Sequence, residues 1–219
     1  MHLTVDIEAN LNTFLAERSA GARYASFDYC FNYFQKAREE AGVACLSDDK
    51  RLELSCLHLG FYLASWGMMR GSGELLQRSL RVFTPVVEML AQEPETSWEL
   101  DVPCYVENVD AVLALGMRIR KAFRVAASDV LVTKTMLGVF GCVPAFDRFF
   151  VNGFGASTLC RKALVRIGEY YEENQSVLDD VEVHTLDFAT GCYTDRCYPV
   201  AKIIDMIFFQ EGLSKGSPN

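Results

Sequence analysis

Lys134 and Asp147 are the side chains whose types and spacing best suit chemistry. They lie in 133–150, with Gly138, Gly141 and Pro144 between them. A glycine turn followed by a proline-started helix makes a tight helical hairpin, and such a hairpin can bring an amine to a carboxylate. In a partly apolar pocket, desolvation shifts both titrations, and the pair can then serve as a nucleophile or as general acid and base. The same pair can instead be an ion pair that only fixes the hairpin, and the residues alone leave both readings open.

A second candidate is Arg70-Gly71-Ser72-Gly73. Here the glycines allow a tight turn, Ser72 can cap the next helix, and free amides beside Arg70 would suit phosphate. The alternative is a plain turn between helices, since neither Walker spacing nor a dinucleotide fingerprint accompanies the glycines. Lys202 and Asp205 stand three apart on the last helix, next to Tyr198, and can pair locally. The site expected from these residues has Lys134 and Asp147 at its centre, with Arg70, Ser72, Arg148 and Lys202 as anion-binding groups near its rim.

Charge distribution points the same way. The chain totals −8, which taken whole argues against a general binder of nucleic acid or anionic membranes. Residues 118–168, however, hold nine basic side chains against Asp129 and Asp147, a formal +7 that leaves −15 for the remainder. That split suits either one anion-facing surface or a basic segment neutralised by the acidic ones. Nucleic acid or a nucleotide is therefore the expected partner. A homodimer is the other expectation, through aromatic stripes that include Phe27, Phe31, Phe34, Phe149 and Phe208.

Eight cysteines without an export signal predict free thiols in a reducing, cytoplasmic setting. No run approaches the roughly 20 apolar residues of a membrane span, so no membrane partner is expected. His184, Cys192 and Cys197 offer three zinc-type ligands where a structural site normally has four, and neither metal nor cofactor is expected. His58, within an apolar helix, reads as a hydrogen-bonded core residue.

Three phrases carry a resemblance: His58-Leu59-Gly60-Phe61-Tyr62-Leu63-Ala64-Ser65-Trp66-Gly67-Met68, the stretch 133–150, and Tyr198-Pro199-Val200-Ala201-Lys202-Ile203-Ile204-Asp205-Met206. Together they resemble a widespread uncharacterised bacterial family without an assigned function. More distantly, Lys134 followed by Gly141, Pro144 and Asp147 is similar to the lysine and Gly/Pro…Asp segment of helix-hairpin-helix DNA glycosylases. That resemblance implies an all-α enzyme in which the aspartate assists base excision and, in some members, the lysine attacks the sugar. The separation of Lys134 from Asp147 is shorter than in those enzymes, and Val125-Ala126-Ala127-Ser128-Asp129 lacks their glycine-rich hairpin.

Apolar residues at helical spacing, with little sustained alternation, predict the elements that must position these groups: an all-α domain over 1–213 of about eight to nine helices, then a tail over 214–219. Helices are expected over about 3–18, 24–41 and 47–69, the last capped by Ser47 and central to the core. Others follow at 74–91, kinked or broken by Pro85, and at 105–125. Ser128 starts a short helix through Leu137, Pro144 starts one that ends at Gly153 or Gly155, and Ser157 caps one reaching about 174. The segment 92–103 reads as loop and 179–197 as loop or one short hairpin. A final helix begins at Tyr198-Pro199 and stops before Gly212.

Overall fold

The computed structural model describes residues 5–71 and 73–216; residues 1–4, where the first helix was expected to begin, Ser72 and residues 217–219 lie outside them, while 214–216, expected as tail, continue the last helix. Among the described residues the fold is all-α, as expected, with nine helices of seven residues or more. In chain order they are α1 (Ile7–Ala16), α2 (Ser26–Ala41), α3 (Leu52–Ser65), α4 (Thr84–Leu90), α5 (Glu95–Trp98), α6 (Tyr105–Ala122), α7 (Asp129–Phe140), α8 (Arg148–Phe154), α9 (Arg161–Glu173), α10 (Gln175–Leu178) and α11 (Val200–Gly216). Between α10 and α11, β1 (His184–Leu186) and β2 (Tyr193–Cys197) form one antiparallel hairpin that pairs His184 with Cys197. No helix among the described residues is long and apolar enough to cross a membrane.

Two helices form the centre. In α7 every residue from Leu131 to Phe140 is buried, and in α11 the same holds from Ala201 to Gln210. The Thr133 and Thr135 hydroxyls of α7 donate to the Asp129 and Leu131 carbonyls one turn back, which satisfies them without solvent. The helix starts at Ser128, whose side chain accepts from the Leu131 amide at 3.3 Å, and it stops at Gly141 in the left-handed conformation. The central role expected of the 47–69 helix falls to α7 and α11 instead. Helix α3 lies at the surface, with Leu54, Leu57 and Phe61 exposed.

Helices α8 and α11 touch backbone to backbone. A Cβ at Gly153 would run into the Phe208 carbonyl oxygen, and one at Gly212 into that of Phe149. Gly212 therefore sits inside α11 as a contact residue and does not end it.

Other boundaries move for local reasons. Of the kink or break expected at Pro85, the structure has the break: Pro85 stands in the first turn of α4, where its missing amide costs nothing, and so starts a new helix. The 74–83 stretch forms two short 3₁₀ turns. Pro144 lies ahead of α8, which Asp147 caps, and α9 begins at Arg161, beyond Ser157. Ser47 ends a 3₁₀ turn, and α3 starts at Leu52.

Candidate functional site

The 141–147 segment joins α7 to α8 and is pinned from two sides. The Phe146 amide donates to the Thr133 hydroxyl at 2.9 Å, and the Ala145 amide donates to Asp205 Oδ1 at 3.0 Å. Asp147 then acts as N-cap of α8, its Oδ1 accepting from the Phe149 and Phe150 amides at 3.0 and 3.2 Å. This leaves Oδ2 facing α7, where it lies 3.2 Å from Lys134 Nζ. The amine also donates to the Trp66 carbonyl at 2.8 Å.

Lys134 is 4% exposed. Burial pulls its pKa below the usual lysine range, with the Arg70 charge adding to the depression and Asp147 and Asp205 opposing it. The pair faces a cavity of about 530 Å³ whose walls include Arg23, Trp66, Arg70, Arg148, Phe149 and Phe209. Lys134 and Asp147 thus converge in a hollow, the arrangement their spacing allowed. Chemically, an amine shifted toward neutrality beside an oriented carboxylate can give up or accept a proton more readily than an exposed lysine.

Arg70 and Arg148 stand at this cavity, both exposed. Neither forms an ion pair among the described residues. Arg23 is the third arginine there, equally without an ion pair among the described residues, its guanidinium 5.3 Å from the Trp66 ring. Four cations and one carboxylate make this the electropositive hollow of a chain carrying −8 overall.

Lys202 is not at the rim. It is 1% exposed, behind Trp66, with Nζ bonded to Asp205 Oδ2 at 2.8 Å and within 4.9 Å of the Phe14 and Phe27 ring centroids. A buried ammonium needs its counter-charge, and Asp205 supplies it. The Lys202–Asp205 pair supports the site from below, since Asp205 also holds Ala145. Ser72 lies outside the described residues, so the Arg70-Gly71-Ser72-Gly73 turn contributes Arg70 to the cavity and no described role for the serine.

The basic 118–168 segment divides. Arg118 chelates Glu93 through two bonds of 2.6 Å, Arg120 pairs with Asp129, and Arg161 with Asp110. Glu93 and Asp110, from outside the segment, offset two of its seven excess positive charges, while Arg23 and Arg70 reach the cavity from outside the segment. Arg23 was missed because nothing in its neighbourhood distinguishes it from any solvated arginine; only the packing of Trp66 against it does.

Comparison of the chain with protein-family models, with curated proteins and with solved structures finds no match.

Proposed function

We propose that the protein recognises a nucleic acid or nucleotide, in a distantly glycosylase-like manner, through the Lys134/Asp147 cavity. The observation that carries this reading is the convergence of Arg23, Arg70 and Arg148 on one hollow, with no ion pair for any of them among the described residues. Surface arginines that only solubilise a protein are scattered or paired with acids, whereas three grouped around a concave aromatic wall match a phosphate with a planar group beside it. Arg guanidiniums would take the phosphate, Trp66 and Phe149 the planar face, and the Lys134–Asp147 pair would contact the atoms at the bottom.

The test is titration of labelled single- and double-stranded DNA, RNA and free nucleotides at low ionic strength, repeated in rising salt. The reading expects binding that weakens steeply with salt and is lost in Arg70→Glu and in Lys134→Met. Indifference to every one of these ligands at low salt overturns it.

An assembly role is the second reading, and its surface differs from the one the sequence suggested. Phe27, Phe31, Phe34 and Phe208 are buried in the core, and Phe149 lines the cavity. What favours it is the apolar face of α3, where Leu54, Leu57 and Phe61 are exposed next to Phe188. Sedimentation at micromolar concentration tests it: a dimer lost in Phe61→Glu supports assembly, and a monomer removes it.

A further inference from the structure

We propose that Glu182, His184 and Cys197 form a binding site for a borderline-soft divalent cation of the zinc type. His184 and Cys197 are direct register partners across the hairpin, which puts their side chains on one face. The Tyr198 amide donates to the Val183 carbonyl at 2.8 Å and extends the extended pairing one residue further. Glu182, two residues before His184, therefore shares that face, while Val183 is buried on the other.

The potential ligand atoms of the three residues all lie within 4.8 Å of one another. Cys197 Sγ is 3.8 Å from His184 Nδ1 and 3.9 Å from Glu182 Oε1, which itself lies 3.3 Å from His184 Nε2. Ligand atoms around tetrahedral zinc are separated by about 3.3 to 3.8 Å, as bonds of ~2.0 to 2.3 Å require. The cluster is thus already near the spacing of a metal's coordination shell. With Nδ1 as the imidazole ligand, the Glu182 carboxylate only has to rotate away from Nε2, and its side chain is largely solvent-exposed.

A thiolate, an imidazole and a carboxylate together favour zinc over magnesium or calcium, which prefer oxygen alone. The backbone is held in place beforehand. Arg18 donates to the His184 carbonyl, Asn32 donates to the Leu186 carbonyl at 3.1 Å, and the Thr185 hydroxyl donates to Asn32 at 2.9 Å.

Three protein ligands leave a fourth position open. Glu182 and His184 also line a cavity of about 720 Å³, so that position has room for water or for a small ligand. The sequence spacing pointed to Cys192 as the third ligand. The hairpin instead turns Cys192 toward the Thr190 carbonyl and brings in Glu182.

Cobalt(II) titration of the reduced full chain tests the site, with zinc as competitor. One equivalent should bind, giving thiolate-to-cobalt charge-transfer absorption and the intense visible bands of four-coordinate cobalt, both erased by zinc. Cys197→Ser should abolish the charge-transfer band. His184→Ala and Glu182→Gln should each weaken binding more than about tenfold, and Cys192→Ser should leave it intact. Absence of the charge-transfer band, or its survival in Cys197→Ser, overturns the proposal. A readout without substitutions is alkylation of the unaltered protein followed by peptide mass analysis: zinc should slow modification of Cys197 and not of Cys160, and equal rates overturn the proposal as well.

Discussion

Asp147 divides its carboxylate between two neighbours, one oxygen capping α8 and the other contacting the Lys134 amine. The start of a helix and the floor of a cavity therefore depend on one side chain. Asp147→Ala should cost about 2 to 4 kcal/mol in urea unfolding, from a lost cap and an unpaired buried ammonium. Asp147→Asn keeps a good cap and should retain about 1 kcal/mol of that. Lys134→Met removes the ammonium from Asp147 and the donor from the Trp66 carbonyl, and, since Asp147 keeps its two amide bonds, should cost about 1 to 3 kcal/mol. Equal losses for the two Asp147 variants would show that the cap contributes nothing.

The cavity arginines and the buried Arg18 should behave in opposite ways. Arg23→Ala, Arg70→Ala and Arg148→Ala remove exposed groups without ion pairs among the described residues, so each should change stability by no more than about 0.5 kcal/mol. Arg18→Ala strands Asp28, with which it forms a fully buried pair at 3.0 Å, and should cost about 3 kcal/mol or more. Denaturant midpoints of the four variants make the comparison. A large loss at Arg70 would mean it has a structural partner.

Glycine positions give a sharper contrast. Gly212→Ala forces a methyl into the Phe149 carbonyl and should either prevent folding or cost more than about 3 kcal/mol. Gly168, in the middle of α9, has only Tyr105 Cβ at 3.6 Å, an ordinary contact, so Gly168→Ala should stabilise by about 0.5 to 1 kcal/mol. Thermal melts that show similar effects at both positions would refute the close approach of α8 and α11.

His58 stacks on Tyr33 at 4.0 Å between centroids and is without a hydrogen bond among the described residues, where a hydrogen-bonded core histidine was expected. Burial lowers its pKa below 6.5. The unfolded chain therefore takes up this proton first as pH falls. The stabilisation is present in full above 6.5 and is lost as pH drops through that value toward the folded pKa. His58→Gln should flatten the dependence of melting temperature on pH just below 6.5, and an unchanged slope would show that His58 is not desolvated.

Helical periodicity made the all-α architecture legible, and the residues that punctuate it did so where their neighbours were ordinary. Ser128 and Gly155 sit at the ends they were expected to mark, and α2 stops at Gly42 as expected, whereas α7 runs past the expected end at Leu137 and stops only at Gly141. Periodicity failed where burial has no pattern. Helix α7 is buried on every side, and its threonines and Lys134 look like a polar face until their partners are known. Lys134 and Asp147 were visible as a pair because the turn between them is short. Lys202 was misplaced because burial of a lysine depends on Asp205 and three aromatic rings from elsewhere in the chain, and Arg23 was missed because its neighbour Trp66 comes from the turn after α3.

The close contact of Gly153 with α11 has a consequence for biosynthesis. Asp147 and Arg148 begin the helix that rests on α11, and α11 is the last helix of the described chain to leave the ribosome. A nascent chain that stops short of residue 200 would expose the apolar sides of α7 and α8, and the Lys134–Asp147 pair would lack the Phe209 wall of its cavity. Assembly of the cavity is therefore a late, post-emergence event, closed by the arrival of the final helix.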